Sequence, residues 1–273
     1  MMNALLPEWK DIRCPVIGML HLPPLPGAPR HDRDGDAIVD RVLADTAALL
    51  EGGAHGLMIE NFGDTPFFPD RVPAITIAHM TRIATRVRDQ CDLPLGINVL
   101  RNDGLSALAV AHAVGAAYIR VNVLAGARVA DQGVLHGIAH ELLRERARLG
   151  AESIRVLADF NVKHSAPLGQ ARPLESEVAD ICARGGADGL IVSGAGTGKA
   201  TNVDELRQVK AAAGDTPVLV GSGVTAANAG ALLPYCDALI VGSSFKTDGD
   251  ARNPIDAERV RELTVVIADA PAH

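Results

Sequence analysis

The sequence predicts an α/β protein folded as a (β/α)8 TIM barrel, and three observations carry that prediction. Eight short apolar segments alternate with amphipathic ones along 273 residues, close to the roughly 250 such a barrel takes. Several of these segments are apolar on both faces, as parallel strands covered by helices require. The last two run into small residues: Pro217–Gly221 leads into Ser222-Gly223-Val224-Thr225, and Ala238–Gly242 into Ser243-Ser244-Phe245-Lys246. Glycine and serine let backbone amides approach a ligand closely, and phosphate often binds after strands seven and eight of this fold.

The elements follow in order. After an N-terminal extension of residues 1–14, strand one is predicted at Val16–Leu20 and delivers His21. A proline-rich loop from His21 to Asp36 is read as a semi-rigid lip over the active face in preference to a plain connector, because proline lowers the entropy lost on ordering. Helix Ala37–Leu50 stops at Gly52-Gly53, and strand two, Gly56–Glu60, ends on Glu60 and Asn61. A second long loop, Asn61 to Ala74, leads to helix Ile75–Asp89 and to strand three, Leu95–Val99, which carries Asn98. Helix Ser106–Val114 precedes strand four, Tyr118–Asn122, where Arg120 and Asn122 share a face. A helix is predicted over Val134–Leu149, then strand five at Arg155–Phe160; Asp159, Asn161 and Lys163 share a face if that strand continues. Helix Glu175–Arg184 leads to strand six, Gly189–Ser193, and helix Val203–Ala212 to strand seven. Helices Ala226–Leu233 and Asp256–Ala268 flank strand eight. Without a break in composition, residues 1–273 are expected to form one domain.

Composition narrows the function. A formal charge of −7 argues against a nucleic-acid partner, which demands clustered Lys and Arg. Cys14, Cys91, Cys182 and Cys236 are too scattered for a zinc site or a disulfide framework. Residues 1–14 lack the apolar core of a signal peptide, and no later apolar run reaches about 18 residues, so no integral membrane segment and a cytoplasmic location are expected. No cofactor is predicted. A divalent metal on His21, Glu60 and Asp159 is geometrically possible but lacks supporting histidine spacing. Self-association as a homo-oligomer is expected.

Burying polar groups among Val, Ile and Leu is costly unless they pair or meet a ligand, so polar strand ends point to a site. Glu60 and Asp159 are read as general acid and base with raised pKa values; otherwise one of them simply holds Arg120 or Lys163. Lys163 either binds an anion, the preferred reading, or forms a Schiff base. His21, Asn61, Asn98, Arg120, Asn122 and Asn161 are read as substrate ligands. Phosphate is placed on Ser193, Gly194, Gly196, Gly221, Ser222, Gly223, Gly242 and Ser243, with Lys199 as a further cation. The loop Ser193-Gly194-Ala195-Gly196-Thr197-Gly198-Lys199 departs from the Walker pattern, since Ala200 follows the lysine.

Several runs resemble the BtpA/SgcQ family: Val16-Ile17-Gly18-Met19-Leu20-His21-Leu22-Pro23-Pro24-Leu25-Pro26-Gly27, Glu60-Asn61-Phe62-Gly63-Asp64, Asn98-Val99-Leu100-Arg101-Asn102, Ile119-Arg120-Val121-Asn122 and Ala158-Asp159-Phe160-Asn161-Val162-Lys163-His164. The resemblance covers nearly the whole chain. It implies a ribulose-phosphate-binding type of barrel, similar to tryptophan-pathway isomerase and synthase subunits. The preferred function is an enzyme moving protons on a sugar phosphate or phosphoribosyl compound, of isomerase, epimerase or lyase type. The alternative is a non-catalytic assembly factor of the BtpA type, tied to photosystem I biogenesis, with a vestigial phosphate site. A prenyl-transferring barrel would need a long apolar groove.

Overall fold

In the computed structural model, which describes residues 5–32, 34–194, 196 and 198–270, the order is β1 (Val16–His21), α1 (Gly35–Glu51), β2 (Gly56–Glu60), α2 (Ala74–Arg88), β3 (Leu95–Asn98), α3 (Gly104–Val114), β4 (Tyr118–Val121), β5 (Ala127–Ala130), β6 (Gly133–His136), α4 (Ala139–Arg148), β7 (Arg155–Phe160), β8 (Ser165–Pro167), α5 (Leu174–Ala179), β9 (Gly189–Val192), α6 (Val203–Ala212), β10 (Val218–Val220), α7 (Ala226–Leu232), β11 (Ala238–Val241) and α8 (Ala257–Ala268). Eight parallel strands close as β1-β11-β10-β9-β7-β4-β3-β2, while β6-β5-β8 form a separate antiparallel sheet. The barrel strands fall within one residue of their predicted bounds. Among the described residues, no helix is long and apolar enough to cross a membrane.

Two layers fill the barrel. The lower is apolar: Ile17, Met19, Met58, Tyr118, Leu157, Ile191, Leu219, Ala238 and Ile240 form one buried cluster. Trp9, from the N-terminal extension, seals it from the strand-start end. Its ring lies 5.8 Å from that of Tyr118, and its indole N–H donates to the His55 carbonyl at 2.9 Å. Tyr118 takes the space facing β3, where a Cβ on Gly96 would sit 2.0 Å from its ring. Two residues further along each strand the pleat returns to the same face. There the second layer is polar: His21 pairs in register with Glu60, Glu60 with Asn98, and Asn98 with Arg120.

The structure corrects three expectations. The helix predicted from Val134 begins only at Ala139, because Gly133–His136 pairs antiparallel with Ala127–Ala130. Gly133, at φ +104°, ends the tight link that makes this hairpin possible. Leu135 then buries with Val123 and Val162 beneath the small sheet rather than on a helix face. The helix expected over Glu175–Arg184 spans Leu174–Ala179 and widens into a π turn at Asp180–Arg184. Strand β7 stops at Phe160, and Asn161 turns out of it at φ +52°.

The first two strand-end loops interlock. The Gly63 amide donates to the Leu22 carbonyl at 3.0 Å, and the Leu25 amide to Asp64 Oδ1 at 2.8 Å. A Cβ on Gly63 would lie 2.4 Å from the Pro24 nitrogen, so this contact needs a glycine.

Candidate active site

The polar layer opens into a cavity of about 290 Å³ lined on one side by His21, Glu60, Arg120 and Lys163. The turns at residues 221–225 and 242–244 form the opposite wall, with Arg259 from the first turn of α8.

Asp159 is fully engaged beneath this cavity. Its Oδ1 accepts from Arg120 Nη2 at 2.7 Å, and its Oδ2 from Arg120 Nε at 3.1 Å and from Asn122 Nδ2 at 2.5 Å. Arg120 is 2 % exposed. Burial works against its charge, but the Asp159 contacts outweigh burial and hold its pKa above the ordinary value. The pair therefore fixes the guanidinium, and of the two sequence readings of Asp159 the geometry fits the one in which it holds Arg120.

Glu60 is held differently. Its Oε2 accepts from Asn98 Nδ2 at 2.7 Å, and His21 Nε2 stands 3.8 Å from Oε1. Burial alone would raise its pKa. His21, Lys163, Arg120 and the Asn98 hydrogen bond together overcome burial and set it below the usual carboxylate value. The sequence expectation of a raised pKa is thus reversed, since three basic side chains surround the carboxylate. His21 packs on Phe62, ring centroids 4.6 Å apart. Burial, opposed by Glu60 and assisted by Lys246 and Lys163, lowers its pKa to about 4, so the ring is neutral at pH 7. Its buried Nδ1 has no hydrogen-bond partner among the described residues.

Lys163 is half-buried and opens on the cavity. Burial, then the neighbouring Arg120 charge, pulls its pKa below that of an ordinary lysine, against the weaker pull of Glu60 and Asp159. Its backbone is fixed on both sides: Asn161 and His164 adopt left-handed conformations at φ +52° and +58°, and Arg101 donates to the Lys163 carbonyl.

Not every predicted ligand reaches the cavity. Asn61 accepts from the Leu100 amide at 2.7 Å and donates to Asp64 Oδ2 at 3.2 Å, so it ties loops together. Asn161 accepts from Arg128 at 2.8 Å and donates to Glu205 at 3.0 Å, joining the small sheet to α6. Asn98 and Asn122 act through the carboxylates they hold. His21, Glu60 and Asp159 do not converge as a metal site, and among the described residues no group of three His, Cys, Asp or Glu side chains does.

Of the predicted phosphate residues, Gly221, Ser222, Gly223, Gly242 and Ser243 line the cavity. Side chains have no room here: a Cβ on Gly221 would sit 2.4 Å from Ile191, and one on Gly242 2.8 Å from His21. The amides of Gly223, Ser243 and Ser244 meet no acceptor among the described residues. Ser193, Gly194 and Gly196 stand behind this wall. The Gly194 amide donates to Ser222 Oγ at 2.8 Å, and Ser193 Oγ is buried without a partner among the described residues. Gly196 packs near His164, while Ala195 and Thr197 of the same loop lie outside the described residues.

Sequence reasoning missed Arg259, Arg101 and the role of Lys246. Lys246 Nζ, fully buried, meets Asp45 Oδ2 at 2.8 Å, and Asp45 Oδ1 accepts from the Ile255 amide at 2.8 Å. This pair fastens the second glycine-serine turn to α1. The charge at Asp45, on the apolar face of a helix, was the signal available. A second chamber, about 910 Å³, shares His21, Ser243 and Gly249 with the first and is bordered by Phe62, Arg30 and Arg41.

Residues 12–269 match the model of the BtpA family. A protein of Thermococcus kodakarensis is 45% identical over 251 residues, covering 92% of this chain and 94% of its own. Photosystem I biogenesis protein BtpA of Synechocystis is 44% identical over 255 residues, 93% of this chain and 88% of its own. Among solved structures, N-(5'-phosphoribosyl)anthranilate isomerase from Pyrococcus furiosus superposes with a TM-score of 0.58 at 12% identity, over 94% of this chain and 100% of its own. The 7,8-dihydropteroate synthase of Vibrio fischeri gives 0.60 at 17%, over 96% and 95%. These structural likenesses establish the barrel, and the sequence matches establish descent: the chain belongs to the BtpA family.

Proposed function

We propose that this protein is an enzyme acting on a small phosphorylated metabolite, a sugar phosphate or phosphoribosyl compound, by proton transfer of the isomerase, epimerase or lyase type. One observation carries the reading: an ionised Glu60 and a half-buried Lys163 look across a cavity of about 290 Å³ at two turns whose amides at Gly223, Ser243 and Ser244 are unengaged among the described residues. That volume is at the small end of ligand pockets, about 300–1,000 Å³, and suits a compact metabolite. Amides at Gly223, Ser243 and Ser244, with Arg259, suit the phosphate. Glu60, held as an anion, suits the base; Asp159 is reassigned from acid or base to positioning Arg120.

The test is thermal unfolding during titration with inorganic phosphate and a panel of pentose, hexose and nucleoside phosphates. A ligand at about 100 times its Kd stabilises by roughly 2.7 kcal/mol. Stabilisation by one phosphorylated compound and not by its dephosphorylated form supports the reading; no response to any phosphate sinks it. Glu60→Gln is expected to abolish turnover while keeping the phosphate response.

A second reading, a non-catalytic assembly factor, draws on the printed name of the Synechocystis relative and on an apolar groove beside the first two loops. There Phe68 is 52% exposed and Ile75 45%. Under that reading Glu60→Gln leaves performance unchanged, while substitutions at Phe68 and Ile75 impair it.

A further inference from the structure

Glu60 is shared between His21 and Asn98, and both oxygens of Asp159 are taken by Arg120 and Asn122. The Lys163 amine is thereby left without a carboxylate partner among the described residues, at the wall of the cavity. A lysine that serves only as a counter-ion gains from standing away from other cations. This one stands beside Arg120, which penalises its charged form. Its main chain is held between two left-handed non-glycine residues, Asn161 and His164, and pinned at the carbonyl by Arg101. Sparsely populated backbone conformations of this kind cost energy and collect at functional positions. Left-handed residues on both sides aim one side chain, and that side chain carries a nucleophile.

We infer that Lys163 forms a covalent imine with the carbonyl carbon of a phosphorylated aldehyde or ketone whose phosphate rests on the turns around Gly223 and Ser243. This rests on the phosphate-binding reading of the cavity and adds the substrate class. The neutral Nζ attacks the carbonyl carbon and a C–N bond forms. The C=O π pair moves to oxygen, which takes up a proton while the nitrogen gives one up, forming the carbinolamine. A second proton, drawn from solvent, reaches the hydroxyl; the nitrogen lone pair then expels it as water and leaves a protonated imine. The balance is neutral amine plus carbonyl plus one proton giving protonated imine plus one water, with no oxidant or reductant. The iminium draws electrons from the adjacent carbon, whose proton Glu60, already ionised, accepts. The lowered pKa of Lys163 keeps more of the amine in its attacking form near neutrality than an ordinary lysine would have.

The experiment incubates the full chain with glyceraldehyde 3-phosphate, dihydroxyacetone phosphate or ribulose 5-phosphate, adds sodium borohydride, and reads intact mass and peptide map. Hydride reduces the imine to a secondary amine, so the expected mass gain is that of the compound less one oxygen atom, located on Lys163. Lys163→Arg and Lys163→Met, each checked for the wild-type melting temperature, are expected to lose this adduct. At least one of the two must fold, and arginine keeps the charge without the nucleophile. The yield at pH 7.5 relative to pH 9 is expected to exceed the same ratio for an exposed lysine of the chain. A carbonyl phosphate that raises the melting temperature but leaves no adduct overturns the lysine inference while the phosphate reading stands. Absence of both stabilisation and adduct overturns both. Equal labelling of wild type and Lys163→Arg shows adventitious surface chemistry and also overturns it.

Discussion

Asp159→Asn separates a structural carboxylate from a reactive one. In the native barrel Asp159 accepts two hydrogen bonds from Arg120 at 2.7 and 3.1 Å and a third from Asn122 at 2.5 Å, and it is 4% exposed. The amide is isosteric, keeps one acceptor oxygen and turns the other contact into donor against donor. Arg120 becomes a buried cation with Lys163 beside it and only Glu60 to answer it. Removing one partner of a buried pair costs about 3–5 kcal/mol, and the surviving acceptor puts this case near the lower bound, about 3 kcal/mol. For a chain of this length each kcal/mol moves the melting temperature by about 2–4 °C, so the expected fall is about 6–12 °C. Thermal unfolding by circular dichroism measures it, with Glu145→Gln, which breaks an exposed helical pair with Arg148, as the control expected to stay near wild type. A melting temperature for Asp159→Asn within about 2 °C of the control would refute the reasoning. The Asp159 charge would then not be what holds Arg120, and the acid-or-base reading of this carboxylate would stand again.

The remaining predictions follow from single contacts. His21 has a pKa of about 4 in the fold against 6.5 when free, so below pH 6.5 the unfolded chain binds a proton that the native one refuses. Stability is then lost as pH falls from about 6.5 towards 4, by up to about 1.4 kcal/mol per pH unit, and His21→Gln is expected to remove that share of the slope in urea titrations. Gly223 sits at φ +68° with a would-be Cβ 2.2 Å from the Lys199 carbonyl oxygen, whereas Gly126, at φ +74°, has open space around it. Gly223→Ala should therefore destabilise well beyond the roughly 1–2 kcal/mol of strain expected for Gly126→Ala and abolish the phosphate response, both read from melting curves. Lys246→Met strands the buried Asp45, which among the described residues keeps Arg41 at 3.3 Å and the Ile255 amide at 2.8 Å. The expected loss is about 2–4 kcal/mol in chemical denaturation, and an unchanged midpoint would mean that the buried pair contributes nothing net.

The barrel was legible because parallel strands buried on both faces leave unbroken apolar runs, and each such run landed within one residue of its place. The small sheet β6-β5-β8 was not. Its stability comes from pairing between segments far apart, such as Val129 with Ala166, and Val134-Leu135 reads as the first turn of the following helix. In the site, period-two logic held while the backbone stayed extended: Glu60, Asn98, Arg120 and Asp159 all face inward from within strands. It failed one residue past the ends. Asn61 and Asn161 lie beyond β2 and β7; the amide of Asn61 ties loops together, and that of Asn161 joins the small sheet to α6. The direction of the Glu60 shift was out of reach for another reason. It depends on His21, Lys163 and Arg120 meeting from three other strands and loops, which one strand's sequence does not state.

The division of charge around the cavity argues for an anionic ligand more strongly than any single residue does. Over the whole chain acidic groups prevail, with a formal charge of −7. Among the charged side chains lining the cavity the balance is inverted: Glu60 stands against Arg120, Lys163 and Arg259. Asp159 cancels Arg120 from behind the wall, and Asp256, 3.7 Å from Arg259, only partly screens it at the rim. Among the described residues, Lys163, Glu60 and in part Arg259 remain as the groups whose charge is not consumed by a fixed partner of opposite sign. A protein of net negative charge that gathers cations at one concave site lowers the repulsion an anionic substrate meets only there, and so selects where it docks.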